Sequence, residues 1–537
     1  MDRRQFLARA ASVSLGGAVF SVLAAFRLAR GQELRSGATG GSDGATATEP
    51  PGGPGATPAA SSTPGATSAA EAARQNPIAI ENALDGEGGW EVVTARGEAV
   101  GYFDEVSVEA GETLALHVSS PTTYDVFWYR LGWYGGQGAR SVRVDRGLPP
   151  YAGARPAPDG FGRVQCDWPA ALSIRIPPDW TSGYYLAVIR PPDGKPTYVP
   201  FVVRPPKGGR APVLIVSAAA TWQAYNTWGG KNVYDANSVG ALTVTGTKRA
   251  AVVSFDRPYQ LNRGAGHLLH YEYPFARWVE REGRDVEYAT DVDLGRHPEV
   301  LEGRKMVVLI GHPEYWSRPM RDGIVSAIEA GTNVLFLCAN EMYWQVRLIP
   351  SPLGEERNLV CYKVFDLDPV AAADPARATV HWRDAELGLP EARIVGQQYG
   401  HVVNRFGDWT VKNSDHWLYE GTGLKDGDRI PRLIGPEYDT FFKELAPEGT
   451  LLLAEGAVDA KLGVPVEGGE TPSPAIHTST IYVAPSGATV FAAGTFLWGL
   501  ALDGYRGPDY REEYTPVDAR IARMTHNLFD RLGDGPA

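Results

Sequence analysis

The chain has 537 residues, of which 43% are hydrophobic and 21% charged, a composition that excludes collagen, a coiled coil and wholesale disorder. Its formal net charge of −12 disfavours contact with phosphate backbones, so the sequence predicts no nucleic-acid partner. The three cysteines, Cys166, Cys338 and Cys361, are too few for a disulfide scaffold or a cysteine-rich zinc site. In an exported protein one pair, such as Cys338 with Cys361, could form a disulfide, and the third cysteine would then remain a thiol.

Residues 1–31 have the features of an export signal. An arginine pair, Arg3 and Arg4, begins an RR-x-F-L motif, and 17 uncharged residues run from Ala10 to Phe26. The segment resembles a twin-arginine (Tat) signal peptide. That resemblance implies export of a folded protein, so we expect an extracytoplasmic location, either secreted or tethered to the membrane. The alternative interpretation is an uncleaved membrane anchor, although about 20 apolar residues are needed to span a bilayer.

Residues 32–75 are almost entirely Gly, Ala, Ser, Thr and Pro. Such a segment cannot bury enough apolar area to offset the entropy of ordering it. The composition therefore predicts a disordered linker that separates the signal from a folded part.

Short alternating segments between turn residues indicate β structure over residues 77–206. The predicted strands are 106–108, 114–118, 124–129, 172–176, 184–189 and 198–203. About seven strands in about 130 residues are typical of an all-β, immunoglobulin-like sandwich. The aromatic and glycine-rich stretch Tyr129–Gly136 has two interpretations, a platform for binding sugars or core aromatics next to a tight turn.

Residues 211–537 alternate apolar runs with helical spacing. Strands are predicted at 212–216, 286–288, 306–310, 333–337, 450–453, 479–483 and 489–493, and helices at about 320–330 and 516–532. Continuous apolar strands of this kind indicate a parallel sheet covered on both faces, and hence an α/β domain of the Rossmann or amidotransferase-like type. Residues 355–445 have the character of a large insertion that contains β structure and loops.

Polar and aromatic side chains follow three of the apolar runs. The three loops are 219–226, 311–317 and 338–344. Because the carboxyl ends of parallel strands meet at one edge of a sheet, we expect a site there, with His312, Glu314, Asn340 and Glu341 as catalytic residues. The alternative is purely structural, with Ser317 capping the next helix and the aromatic side chains covering the edge of the sheet.

Several common catalytic motifs are absent from the sequence. Cys338 lacks the glycines of a G-x-C-x-G elbow, and there is no G-x-S-x-G elbow, no G-x-G-x-x-G after the first run and no H-E-x-x-H. His312-x-Glu314 has the start of a deaminase-type zinc motif, but no P-C-x-x-C follows. We therefore interpret Cys338 as a buried structural residue, and a zinc hydrolase would need scattered ligands.

At these same loops the chain resembles the family of the large (beta) subunit of N,N-dimethylformamidase. The similar segments are 221–226 with 229–230, 273–280 with 288–291, 311–317, 340–344 and 434–439, together with 129–136 in the β part. The resemblance covers roughly residues 77–505, and its G-H-x-E-Y-W-S segment is fairly specific.

The resemblance implies a mononuclear Fe(III) site with two tyrosinates and one glutamate as ligands. Hard phenolate oxygens suit ferric iron, which would polarise an amide carbonyl and acidify a bound water. Carried onto this chain, the resemblance implies Tyr315 and Glu437 as ligands. The second tyrosine would be Tyr225 by its motif, with Tyr273 as the fallback.

We therefore expect an exported, formamidase-like amidohydrolase that acts on a small linear amide. The family's formamidase is cytoplasmic and has a separate small subunit, whereas this chain carries an export signal and a linker. Its natural substrate can therefore differ from that of the formamidase. The alternative from another class is a non-catalytic cell-surface protein that binds glycan or cell-wall polymer through its aromatic side chains.

Overall fold

The computed structural model describes residues 76–92, 98–207, 209–260, 264–461, 475–507 and 515–533. The predicted signal peptide (1–31) and linker (32–75) lie outside the described residues. Those that are described belong to one compact unit, Asn76–Ala537. Within them we find no helix whose length and apolar character would allow it to cross a membrane.

The N-terminal part of the described chain is built mainly of strands. Its elements are helix α1 (Pro77–Asn82) and strands β1 (Val100–Phe103), β2 (Ser107–Glu109), β3 (Thr113–Ser119), β4 (Tyr124–Leu131), β5 (Ala139–Leu148), β6 (Ala170–Arg175), β7 (Gly183–Arg190) and β8 (Thr197–Arg204). Three strands form an antiparallel sheet in the order β1-β3-β6. The other five form a sheet in the order β2-β8-β7-β4-β5, in which β2 and β8 are parallel and the remaining pairs antiparallel.

Large aromatic side chains connect these two sheets. Phe103 on β1, Trp128 on β4 and Phe201 on β8 have ring centroids between 5.0 and 5.9 Å apart. Since Phe103 belongs to the smaller sheet and the other two rings to the larger one, the sheets share a hydrophobic core. That this part has an immunoglobulin-like fold stays a prediction.

The chain then alternates strands with helices. The elements are β9 (Val213–Ser217), α2 (Ala219–Tyr225), β10 (Val252–Ser254), α3 (Tyr273–Arg281), β11 (Val286–Thr290), α4 (Asp291–Arg296), β12 (Met306–Gly311), β13 (Tyr315–Ser317), α5 (Arg318–Glu329) and β14 (Asn333–Cys338). A π-helix, Leu268–Glu272, leads directly into α3. Helix α5 begins after Ser317, whose side chain caps it, as one interpretation of the sequence expected.

The remaining elements include the predicted insertion. They are β15 (Trp344–Ser351), β16 (Gly354–Val360), α6 (Ala392–Val395), β17 (Gln398–Val402), β18 (Gly407–Thr410), β19 (Arg429–Ile434), β20 (Glu437–Thr440), β21 (Leu451–Ala457), β22 (Ile476–Val483), β23 (Thr489–Ala492) and α7 (Ala519–Leu532). Several small sheets occur here, namely β10-β16-β15-β13, β17-β20 and β18-β19.

The largest sheet has seven strands in the order β11-β9-β12-β14-β23-β22-β21. The first five of these are parallel, and β22 and β21 are antiparallel to their neighbours. All residues of β9 and β12 are buried, because the sheet is covered on both faces and apolar side chains are needed on each. That the domain containing this sheet is of the Rossmann or amidotransferase-like type stays a prediction.

A buried ion pair joins the β-rich part to the rest of the molecule. Arg130 on β4 donates to both carboxylate oxygens of Glu280 on α3, at 2.9 and 3.0 Å, and both side chains are buried. Elsewhere Cys166, Cys338 and Cys361 are all buried, and the described residues contain no disulfide between Cys338 and Cys361.

Candidate functional site

Three loops meet at one edge of the large sheet because β12 pairs with β9 on one side and with β14 on the other. Helix α2 begins at Ala219, just after β9 ends at Ser217. The loop with His312 and Glu314 follows β12, and the loop with Asn340 follows β14. The carboxyl ends of the strands thus bring the polar loops side by side.

Thr221 on α2 fixes the loop that follows β12. Its hydroxyl accepts hydrogen bonds from the backbone N–H groups of Glu314, at 3.0 Å, and Tyr315, at 3.3 Å. Thr221 is fully buried, so no water competes for these contacts. The loop is therefore held against the helix that carries Tyr225.

Three phenol groups converge in front of this loop. The Tyr234 hydroxyl lies 2.9 Å from the Tyr225 hydroxyl, and the Tyr315 hydroxyl donates to that of Tyr234 at 2.6 Å. Tyr234 lies between α2 and β10, outside regular secondary structure. Sequence reasoning missed this residue. Its position four residues after Gly230 is the signal that could have pointed to it.

The Glu314 carboxylate connects two of these phenols. Tyr225 donates to its Oε2 at 2.8 Å, and Tyr234 donates to its Oε1 at 2.7 Å and lies 2.9 Å from its Oε2. Glu314 is buried, whereas Tyr225 and Tyr234 are partly exposed. The two phenol oxygens and the carboxylate thus form one compact set of oxygen atoms near the surface.

A second carboxylate lies on the other side of His312. Asn340 donates from Nδ2 to Glu437 Oε2 at 2.7 Å. His312 Nε2 is 3.3 Å from Glu314 Oε2 and 3.6 Å from Glu437 Oε2, so the imidazole stands between the two carboxylates. Glu437 is the first residue of β20 and is partly exposed. The structure therefore brings together His312, Glu314, Asn340 and Glu437, which come from three separate segments.

Asn340 and Glu341, adjacent in sequence, have different surroundings. Asn340 has a φ of 51°, in the left-handed region, and its backbone N–H donates to Asp439 Oδ1 at 2.9 Å. The Glu341 carboxyl lies beside Asp439 and feels the charge of Glu391 as well. The geometry does not support the predicted catalytic role of Glu341, because its carboxyl is paired with that of Asp439 and both are buried.

The fallback ligand Tyr273 lies elsewhere in the molecule. Its hydroxyl donates to the backbone carbonyls of Gly138, at 2.5 Å, and Gly132, at 3.2 Å. Those carbonyls belong to the turn between β4 and β5, so Tyr273 holds the β-rich part against α3. In the same turn Tyr134 is buried and donates to Glu81 at 2.7 Å.

A lysine that sequence reasoning also missed lies on the phenol cluster. The Lys363 Nζ is 3.8 Å from the ring centroid of Tyr234, 4.6 Å from that of Trp344 and 5.6 Å from that of Tyr315. An ammonium over an aromatic face is attracted by the ring quadrupole. No motif in the sequence around Lys363 distinguishes it from an ordinary surface lysine.

Burial governs the protonation of the site. It raises the pKa of Tyr225 well above the usual value, and the charges of Glu314 and Glu437 raise it further. Burial, followed by the charge of Glu314, also raises the pKa of the Glu437 carboxyl well above its usual range. Burial, with His267 nearby, lowers the pKa of His312 well below its ordinary value. A bound cation would reverse the shifts of the acids, because it favours their charged forms.

Within the described ranges, no group of three or more His, Cys, Asp or Glu side chains is arranged to hold a metal ion. The oxygens gathered here come from phenols as well as carboxylates. The arrangement offers hard oxygen donors at the edge of a sheet, next to a carboxylate, an amide and an imidazole that could bind a substrate or move a proton.

Comparison with known proteins places most of the chain in one family. A family model described as N,N-dimethylformamidase beta subunit-like, C-terminal, matches residues 125–512. The N,N-dimethylformamidase beta subunit of Alcaligenes sp is 24% identical over 435 residues, which are 69% of this chain and 55% of the relative. That of Paracoccus aminophilus is 25% identical over 339 residues, or 57% of this chain and 42% of the relative. The chain thus spans about half the length of the curated relatives it matches.

A comparison with solved structures adds no argument about fold. The structure of a cycloisomaltooligosaccharide glucanotransferase from Paenibacillus sp., complexed with cycloisomaltoheptaose, is similar over 36% of this chain and 27% of its own. Its sequence identity is 11% and the TM-score is 0.12.

Proposed function

The chain belongs to the N,N-dimethylformamidase beta subunit-like family, and on that premise we propose that it hydrolyses the C–N bond of a small amide at a mononuclear iron. The observation that carries the proposal is the oxygen set formed by Tyr225, Tyr234 and Glu314, with separations of 2.7 to 2.9 Å. Two tyrosinates and one glutamate are the ligands that the resemblance to the formamidase implies.

The proposed ligands differ from those expected from the sequence. We keep Tyr225, but Tyr234 takes the place of Tyr315 and Glu314 takes the place of Glu437. The reason is contact, because each oxygen of Glu314 receives a phenol hydroxyl, whereas Glu437 receives the amide of Asn340. In this assignment Tyr315 donates to the oxygen of Tyr234 from outside the ligand set.

The donor set fits a small, hard cation. Oxygen ligands about 2.1 Å from one octahedral cation lie about 3 Å from one another, close to the separations of 2.7 to 2.9 Å among Tyr225, Tyr234 and Glu314. Two phenolates and a carboxylate would carry three negative charges, which suits a ferric ion. When bound, such an ion would supply Lewis acidity toward an amide carbonyl and acidify a coordinated water.

The neighbouring residues can perform the proton transfers that amide hydrolysis needs. The reaction requires a base that accepts a proton from water and an acid that returns a proton to the departing amine. Glu437 is placed for both roles, since its carboxyl is partly exposed and close to His312 Nε2. Asn340 holds Glu437 in orientation through the hydrogen bond to Oε2. His312, kept neutral by burial, can accept or donate one hydrogen bond between the two carboxylates.

We also propose that the protein works outside the cytoplasm, since its first residues resemble a Tat signal. A natural substrate would then be an amide encountered there. The experiment that tests the proposed activity is an assay of ammonia or amine release from N,N-dimethylformamide and other small linear amides, using protein with measured iron content. Iron-dependent release supports the proposal. Iron-loaded protein that hydrolyses none of these amides contradicts the proposed activity for this substrate class.

A further inference from the structure

The position of Lys363 points to a role that the proposed function does not include. Its ammonium lies over the ring face of Tyr234, at 3.8 Å from the centroid, and its side chain is almost completely buried. Trp344 and Tyr315 face the same ammonium at 4.6 and 5.6 Å. Three aromatic faces therefore form a cage for one of the protein's own lysines, directly beside the oxygen set of the site.

We infer that Lys363 is a positioning residue that fixes the ring of Tyr234 and, through its charge over that ring, weakens the electron donation of Tyr234 to the metal. This inference rests on the proposed function. An ammonium over an aromatic face is attracted by the electron density of the ring, and its positive charge makes that density less available to the metal. The cage formed by Tyr234, Trp344 and Tyr315 also restricts where the ammonium can lie.

The backbone at Lys363 indicates that this placement is built into the fold. Lys363 has a φ of 62°, a left-handed conformation that is uncommon for residues other than glycine. Its N–H donates to the Thr379 carbonyl at 2.9 Å, and the N–H of Tyr362 donates to the Thr379 hydroxyl at 2.9 Å. The two bonds hold the chain in this conformation, which directs the Lys363 side chain inward while that of Val364 is exposed. Such conformations persist only where the surroundings enforce them, and they are frequent at functional sites.

Tyr234 is contacted from a second direction by Tyr315. The Tyr315 hydroxyl donates to the Tyr234 oxygen at 2.6 Å, while Lys363 lies over the face of the ring. The two contacts draw electron density from Tyr234 at different places, one at the oxygen and the other over the π system. The ring of Tyr225 packs instead against those of Tyr234, His267 and His312. The two proposed tyrosinate ligands are therefore electronically unequal.

The test compares Lys363→Met with Lys363→Arg in iron-loaded protein. The Lys363 charge lowers the energy of the phenolate orbital more than that of the more distant iron. Its removal should therefore move the phenolate-to-iron charge-transfer band to longer wavelength and lower the Fe(III)/Fe(II) potential. Lys363→Arg, which keeps the charge, should restore both toward wild type. Lys412→Met is the control, because this lysine pairs with Glu455 at the surface.

The outcomes separate this inference from the proposed function. Coloured wild-type protein whose band and potential are unchanged in Lys363→Met overturns the role of Lys363 alone. Wild-type protein that binds no iron overturns both proposals. A purely structural role would lower the melting temperature of Lys363→Met without moving the band, and this result too would contradict the inference.

If Lys363→Met does not fold, the wild-type protein still provides a test. Protein labelled with ¹³C at lysine Cε should show one resonance shifted upfield by the surrounding rings in the Ga(III)-loaded state. Replacement of gallium by Fe(III) should broaden that same resonance through its proximity to the paramagnetic ion. The absence of any lysine resonance with both properties would overturn the inference.

Discussion

The Tyr234 hydroxyl lies 2.7 Å from Glu314 Oε1, although the two residues are 80 positions apart in the chain. One comes from an irregular segment after α2 and the other from the loop after β12. Their contact closes the set of oxygen atoms that Tyr225 begins. This contact is the reason for treating the polar loops at the sheet edge as a candidate metal site.

Removal of the Thr221 hydroxyl should loosen the site. In Thr221→Val the side-chain shape is kept, but the buried N–H groups of Glu314 and Tyr315 lose their acceptor. An unsatisfied buried donor costs about 1–3 kcal/mol, so we expect a lower free energy of unfolding by that order and a lower iron content. Urea denaturation and metal analysis measure the two effects. Thr221→Ser keeps the hydroxyl and should behave as wild type, and equal losses in both variants would contradict this role.

Substitution of Glu437 should separate catalysis from metal binding. Glu437→Gln keeps the size and the contact with Asn340 but cannot accept a proton. General acid–base groups contribute about 10²–10⁴-fold, so we expect kcat to fall by that order while the iron content stays at the wild-type level. Glu455→Gln, at an exposed surface pair, is the control. Loss of iron in Glu437→Gln would instead support Glu437 as the ligand.

The stability of the fold should depend on pH through Glu272. This carboxyl accepts a hydrogen bond from Trp222 Nε1 at 2.7 Å, and burial raises its pKa from 4.5 to about 8. Between these pH values the folded protein keeps the proton while the unfolded chain releases it. Stability conferred by the bound proton is thus complete below pH 4.5 and is lost as the pH rises toward 8.

Glu272→Gln removes this titration. The slope is about 1.4 kcal/mol per pH unit, so between pH 5.5 and 7.5 the variant should gain up to about 3 kcal/mol of unfolding free energy relative to wild type. Urea denaturation at the two pH values measures the difference. Identical pH dependence of the two proteins would show that Glu272 is not protonated in the folded state.

Export should depend on the arginine pair near the start of the chain. We expect a double substitution, Arg3→Lys with Arg4→Lys, to retain the protein inside the cell, because the pair is the defining part of the Tat motif. Fractionation and immunoblotting of the two proteins measure this. Normal export of the double variant would contradict the Tat interpretation.

The regular elements that position the site follow from local sequence patterns. The apolar runs at 306–310 and 333–337 coincide with β12 and β14, because buried parallel strands need apolar side chains on both faces. Predicted helix ends differ from α5 and α7 by a few residues, since caps such as Ser317 and Asp518 set the start of a helix. Strand order, by contrast, depends on long-range pairing, which no local pattern records.

The composition of the site was harder to predict than its place. The parallel direction of the strands is enough to predict that the loops after β12 and β14 lie at the same edge of the sheet. Tyr234 was missed because it lies in an irregular segment with no periodic signal. Glu341 was grouped with Asn340 by adjacency, but the left-handed backbone at Asn340 separates their side chains. Lys363 reaches the site from beyond β16, a tertiary contact without a local signal.

The central claim is that Tyr234, rather than Tyr315, is the second tyrosinate ligand beside Tyr225. The most direct measurement is iron content together with the visible charge-transfer spectrum of Tyr234→Phe and Tyr315→Phe. Tyr185→Phe is the matched control, because its buried hydroxyl donates to the Thr181 carbonyl in the β-rich part. We predict that Tyr234→Phe loses both iron and colour, that Tyr315→Phe keeps iron with a shifted band, and that Tyr185→Phe resembles wild type. Tyr234→Phe with full iron and an unchanged band would contradict the account.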